Sequence, residues 1–275
     1  MRLPLRWQSS LTLILFLFMY FPIAVLGLYS FNASRYSSIW EGFSLRWYQQ
    51  LLGDGRIFSA LGTSLAVASL AVAISAVLGT LMAVGLAKYR FPGKGLYQGI
   101  AYLPLIVPDI AIAVATLVFL SAIGRTYFGI QLSLWTIIAA HIVFCLAYIA
   151  LVVSSRLAGL NPHLEEAALD LGATPRQAFI QVLLPELLPG IVAGCLLAFV
   201  LSMDDLLISS FTAGNGANTL PMEIYSRVRT GMKPDINALS VLLILGSGML
   251  AFVAEFWRAG GDSSGSLRSN RAQSK

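Results

Sequence analysis

Residues 59–87 run for 29 positions without a single charged side chain. Wound as an α-helix at 1.5 Å per residue, such a run reaches about 43 Å, longer than the roughly 30 Å hydrocarbon core of a bilayer. Residues 11–29 form a second uncharged run, of 19 positions, and further apolar stretches follow at about residues 99–124, 130–155, 187–211 and 236–254. Lipid offers no partner for backbone N–H and C=O groups, which leaves helices and closed barrels as the only spanning structures. These stretches are about twice the length of a barrel strand, rich in Ala, Leu and Gly and without strict alternation, so helices are expected. Charged residues make up only 11% of the chain, against roughly 25% in a soluble domain, too few to cover a water-facing surface. The expected fold class is an all-α integral membrane bundle with six transmembrane helices.

The first run follows Arg2 and Arg6, as a signal peptide would. It is long for one and no A-x-A site follows it, so an uncleaved first helix is expected. With the amino terminus in the cytoplasm, six spans return the carboxyl terminus there too. Arg2, Arg6, Lys88, Arg90, Lys94, Arg156, Arg176 and four basic residues of the tail, 11 of the 18 in the chain, then lie inside. That is the bias expected of cytoplasmic loops, and it accounts for the net charge of +5 without nucleic acid. The chain divides into residues 1–58, a first helix with an outer loop; residues 59–257, a five-helix core; and residues 258–275, a tail rich in Gly, Ser and charge that is expected to be disordered. The outer segments 30–58 and 212–235 are long enough to form a docking surface, and Gly214, Asn215 and Gly216 read as a flexible outer turn.

The inner loop, residues 156–186, differs from the rest. Asn161 is placed to cap a helix with Pro162 at its first position, where the missing N–H costs nothing. Glu165 and Glu166 then lie near the positive end of the helix dipole. Leu164, Ala167, Ala168 and Leu171 recur at helical spacing, giving a narrow apolar stripe opposite Glu165, Glu166 and Asp170. Gly172 suits a left-handed C-terminal position. Thr174, Pro175 and Gln177 then open a second helix with a capping box. A short helix of this kind at the cytoplasmic face suits a partner's groove. A helix resting on lipid headgroups would carry Lys and Arg on its polar face, and this one presents acids.

In the same segment Glu166, Ala167, Ala168, Gly172, Leu184 and Pro185 stand in register with a cytoplasmic signature: EAA, three residues, Gly, nine residues, Ile, one residue, Leu-Pro. Val182 replaces the usual Ile. The chain thereby resembles the permease subunits of ABC importers. Segments such as LPLIVPDI from Leu103, SMDDLLISSFTAG from Ser202 and TLPMEIYSRVRTGMKPDINAL from Thr219 are similar to the polyamine branch of that family, and within it to putrescine permeases. The resemblance implies the type I importer permease fold in a bacterial inner membrane. It also implies that residues 162–172 form a coupling helix, with Glu165, Glu166, Ala167, Ala168, Asp170 and Gly172 seating in an ATP-binding subunit present as a pair of ATPase domains. Further implied partners are a second, homologous permease and a periplasmic polyamine-binding protein.

Three acids lie within the expected spans: Asp109, Asp204 and Asp205. An ionised side chain at mid-bilayer costs about 2.5–3.5 kcal/mol on insertion scales, so such residues face a watery cavity or an interior partner. Asp109 follows the inner end of its span by about ten residues, which places it near mid-membrane, and Pro104 and Pro108 should kink the helix before it. Asp204 and Asp205 point about 100° apart, so one is expected to line a pathway and the other to bond a neighbouring helix. The spans contain no Lys or Arg, so carboxylates without internal counter-ions favour a cationic passenger such as a diamine. A proton-coupled secondary carrier that uses the three acids as a relay is the alternative.

His141 reads as a packing histidine, and Cys145 and Cys195 as small buried hydrophobes without disulfide or metal roles. The chain carries no P-loop, no HExxH and no recognisable Ser-His-Asp spacing, so neither a cofactor nor an enzymatic activity is expected.

Overall fold

A computed structural model describes residues 5–35, 39–231 and 234–249. The regular elements among them are helices, and the only β contact is one antiparallel bridge between Asn32 and Phe43. In chain order they are α1 (Leu5–Tyr29), α2 (Arg46–Leu52), α3 (Gly55–Lys88), α4 (Lys94–Ala101), α5 (Asp109–Phe128), α6 (Leu134–Ala158), α7 (Leu164–Asp170), α8 (Pro175–Asp204), α9 (Leu207–Thr212), α10 (Leu220–Thr230) and α11 (Pro234–Met249). Five of them, α1, α3, α5, α6 and α8, are long and apolar enough to cross a membrane. Helix α11 is apolar but shorter and ends at the edge of the described residues. The described residues therefore hold five full spans where six are expected; the tail 258–275 lies outside them.

Two spans begin and end elsewhere than expected. The third does not start at residue 99: α4 ends at Ala101, a tight turn spans Leu103–Leu105, and α5 starts only at Asp109. Pro104 and Pro108 are the reason, since each lacks an N–H and disfavours helical geometry in the residue before it. Asp109 is thus the first residue of its span, and the unbroken helix from residue 99 that would carry it to mid-membrane is absent. The fifth span begins at Pro175 rather than residue 187 and ends at Asp204 rather than residue 211. It runs through Pro185 because its hydrogen bonds widen to i+5 over Ala178–Leu183, immediately before that proline. The segment 212–235 contains α10.

The chain forms two compact units, Met1–Gly55 with Ser226–Lys275, and Arg56–Tyr225. In the first, the outer segment is organised by Asn32. Its buried side chain accepts from the Ser34 and Glu41 N–H groups at 3.2 and 3.0 Å and donates to the Ile39 carbonyl at 2.6 Å, while its own carbonyl accepts from Trp47 Nε1 at 2.7 Å. Phe31 packs on Phe43 and Tyr48. Arg227 bridges Asp54 at 2.7 Å and Asp235 at 3.2 Å. No residue of the α1 span is buried.

In the second unit α3, α6 and α8 share a core in which Val67, Ala71, Ile137, Cys145, Ile149, Val153, Leu187 and Ala198 are almost fully buried. Between membrane helices there is no hydrophobic driving force of the kind found in water, so close approach depends on small residues. The backbones meet at glycines. A methyl group at Gly190 would lie 2.7 Å from the Arg156 Cβ, one at Gly194 3.2 Å from the Ile149 Cα, and one at Gly79 3.0 Å from the Leu146 carbonyl oxygen. Helix α9 packs on α5 and α6.

Candidate coupling and translocation sites

In the segment 156–186 the expected helix-turn-helix is present, with its first helix starting two residues later than Pro162. Asn161 Oδ1 accepts from the His163 N–H at 3.0 Å, and the first turn is tightened, so α7 proper starts at Leu164. Gly172 has φ +88°, and the Gly172 and Ala173 N–H groups return to the Leu169 and Ala168 carbonyls at 2.9 and 3.0 Å. That pair of bonds is a Schellman motif, which needs a left-handed residue at this position. Thr174 and Gln177 form the reciprocal capping box that opens α8.

The faces of α7 differ from the expectation. Helix α7 packs on the wide turn Ala178–Leu183, and Leu164 and Ala168 are half-buried. Glu165 turns inward with them and pairs with Lys88 at the end of α3, so it does not join Glu166 and Asp170 on one polar face. Glu166 bonds His163 Nδ1 at 2.7 Å. The surface left uncovered consists of Glu166, Ala167, Leu169, Asp170, Leu171 and Gly172, and Leu171 is 90% exposed. One exposed leucine is ordinary on any protein. Two leucines and an alanine on one tip, held by a Schellman turn and anchored from behind by an ion pair, form a preformed apolar peg.

The three acids are not brought together. Asp109 is exposed at the amino-terminal end of α5, where the helix dipole favours an anion. It precedes Leu120 by eleven residues, about 16 Å of helix, and it is Leu120, Ser121 and Arg125 that reach the level of Ser210 and Ala213 around an outer cavity of about 650 Å³. Asp204 and Asp205 separate as expected. Asp205 leaves the helix (φ −69°, ψ 120°), ends α8 and caps α9, accepting from the Ile208 and Ser209 N–H groups at 3.1 and 2.7 Å and from Ser209 Oγ at 2.9 Å. Its Oδ2 also lies 3.3 Å from His141 Nε2 on α6. Asp204 is exposed and has no hydrogen bond or ion pair among the described residues.

His141 is completely buried. Its Nδ1 meets Ser202 Oγ at 2.7 Å, its Nε2 meets Ser209 Oγ at 3.1 Å as well as Asp205, and its ring packs on Phe144. A serine, a histidine and a carboxylate thus lie within bonding reach despite the absence of any recognisable spacing in the sequence. Chemistry would still need access. Ser202 and Ser209 are buried with the ring, and both carboxylate oxygens are taken up in capping α9. The cluster is a satisfied polar junction at a helix break.

The outer turn also departs from expectation. A methyl group at Gly214 would overlap the Leu132 carbonyl, so this glycine is a point of backbone contact with the turn before α6, while Gly216, with φ +85°, supplies the left-handed bend. Cys145 is fully buried and Cys195 partly so. Arg125 and Arg156 fall inside helices, but in their final turns.

Comparison with known proteins adds to this geometry. Residues 75–260 match the family described as binding-protein-dependent transport system inner membrane component. The chain is 42% identical over 255 residues to the putrescine transport system permease protein PotI of Escherichia coli (strain K12), covering 92% of this chain and 91% of that protein. It is 36% identical to the spermidine/putrescine transport system permease protein PotC of Haemophilus influenzae, covering 86% and 91%. Among solved structures, one of a bacterial ABC transporter involved in import of the acidic polysaccharide alginate superposes with a TM-score of 0.71 at 19% identity, covering 92% of this chain and 94% of that one. The MetNI methionine ABC transporter, in inward-facing conformations, superposes with a TM-score of 0.58 at 24% identity, covering 76% and 94%.

Proposed function

The chain belongs to the family of inner membrane components of binding-protein-dependent transport systems and is a permease subunit of an ABC importer, and from that premise we propose that it passes a polyamine, of the putrescine class, inward across the membrane. It does so by alternating access, paired with a second homologous permease and fed by a periplasmic binding protein. A separate ATPase subunit drives it through the peg at residues 162–172. Both termini lie in the cytoplasm.

The observation that carries the passenger is Asp204. It lies at the end of a membrane-spanning helix, exposed on its own subunit and without a partner among the described residues. A carboxylate facing lipid costs about 2.5–3.5 kcal/mol at mid-bilayer and less toward the ends of a span, so a pathway or a sister subunit is the face that suits it. Basic residues are confined to the ends of the spans, so a cation is the ligand this subunit can neutralise. The relatives at 42% and 36% identity are named for putrescine and for spermidine/putrescine, which agrees with a dicationic or polycationic passenger.

The peg has the surface an ATPase cleft requires: exposed Ala167, Leu169 and Leu171 on a rigid, tied turn. A proton relay through Asp109, Asp204 and Asp205 finds less support, because Asp205 is committed to capping and Asp109 opens a different helix. Uptake of labelled putrescine into proteoliposomes carrying the complete importer separates the two readings. ATP-dependent uptake, absent without the ATPase subunit, is expected; uptake driven by a pH gradient alone would refute the importer reading.

A further inference from the structure

The helix break between α8 and α9 is held by residues far apart in sequence, and its hydrogen bonds are asymmetric between two neighbouring acids. A carboxylate has about four lone-pair positions. Asp205 makes four contacts, one on Oδ1 from Ile208 and three on Oδ2, two from Ser209 and one from His141. Its Oδ2 is fully engaged and its Oδ1 is turned to the α9 cap, so the group is held against α9 and α6. Asp204, one residue earlier, has every position open.

The direction of Asp204 depends on where α8 stops. The stop is set by the extended backbone of Asp205, and the Asp205 carboxylate is fixed from the side by His141. His141 also holds the last turn of α8 through Ser202 and the first turn of α9 through Ser209, so one buried ring clamps both sides of the break. A proton on Nε2 serves Ser209 Oγ and Asp205 Oδ2, leaving Nδ1 to accept from the Ser202 hydroxyl. These are the groups on α8 and α9 that face the ring, and Phe144 of α6 packs beside it.

We propose that His141 is a positioning residue for the translocation pathway: by clamping the α8–α9 break and occupying Asp205, it leaves Asp204 as the one carboxylate of the pair presented outward for an ammonium group. The part concerning the ammonium rests on the polyamine reading above; the part concerning orientation does not.

The test uses the complete importer and two readouts. For orientation, Asp204→Cys is introduced with Cys145 and Cys195 replaced by Ala, and labelling by a membrane-impermeant thiol reagent is followed with His141 intact and in His141→Ala and His141→Gln backgrounds. The expected result is rapid labelling with His141, at least tenfold slower labelling with Ala, and recovery to within about threefold with Gln, whose amide can donate to Asp205 and accept from Ser202. Equal labelling in all three would overturn the proposal.

For the passenger, putrescine uptake is measured with Asp204 in place. His141→Ala should raise KM at least tenfold with less than a threefold change in maximal rate, and His141→Gln should restore KM. A fall in maximal rate that tracks protein amount at unchanged KM would assign His141 a packing role alone and overturn the proposal. A labelling change in an importer that takes up no putrescine would support the clamp and refute the polyamine reading instead.

Discussion

The peg at the tip of α7 and the break at the end of α8 are both short interruptions between helices, yet they are built in opposite ways. The peg is made from neighbours in sequence: the Asn161 turn, the Gly172 bend and the Thr174 capping box all form within 17 residues, 161–177. Its Ala167, Leu169 and Leu171 side chains remain uncovered. The break is made from residues 61 and 68 positions apart, His141 with Ser202 and Ser209, and all three are buried. A locally encoded element can keep its shape while its surface waits for a partner. An element encoded over long range has its polar groups already satisfied, and its one exposed member, Asp204, is the part left to meet something else.

The contrast breaks most visibly at Asp205. Asp205→Ala removes the cap of α9 and leaves a buried histidine facing an apolar methyl group, and breaking a buried, hydrogen-bonded pair costs about 3–5 kcal/mol. The thermal midpoint of the detergent-solubilised importer should fall by several degrees together with the amount of protein in the membrane. An unchanged midpoint would show that the junction contributes little to folding.

Next in size is Gly172→Val. A β-branched residue is strained at φ +88°, but nothing packs around the position. Uptake should drop at least tenfold while protein amount stays near normal, the reverse of the Asp205 pattern. A parallel fall in both quantities would mean that the peg is part of the folding core. The smallest expected effect is that of Thr174→Ala, which removes one N-cap worth about 1 kcal/mol. It should lower coupled uptake about two- to threefold and leave the thermal midpoint within error, which would sharpen the view that peg shape, rather than fold stability, is at stake.

These two regions also show why only part of the molecule was readable beforehand. The helical class followed from charge-free runs, and the peg from caps whose partners lie three or four residues away. Gly172, Thr174 and Gln177 act as their spacing implies, whereas Asn161 bonds the His163 N–H in a turn ahead of the helix, which starts at Leu164 rather than Pro162. The orientation of Glu165 was not readable, because its partner Lys88 lies 77 residues earlier. The same holds for His141, whose role depends on the α6–α8 register set by Gly190 and Gly194. Pro104 and Pro108 predict a kink, and the chain breaks there instead, so α5 starts only at Asp109. Helix α10 carried signals as well, with Glu223 in its first turn and Arg227 and Arg229 in its last.

The central claim is that the tip of α7 seats in an ATP-hydrolysing subunit. Its most direct test is a photocrosslinking residue at Leu171 in the assembled importer, with the product identified by mass. Crosslinks to the ATPase subunit that change in yield when ATP is bound are predicted. Crosslinks to lipid alone, or labelling of that position from the outer side of the membrane, would contradict the account.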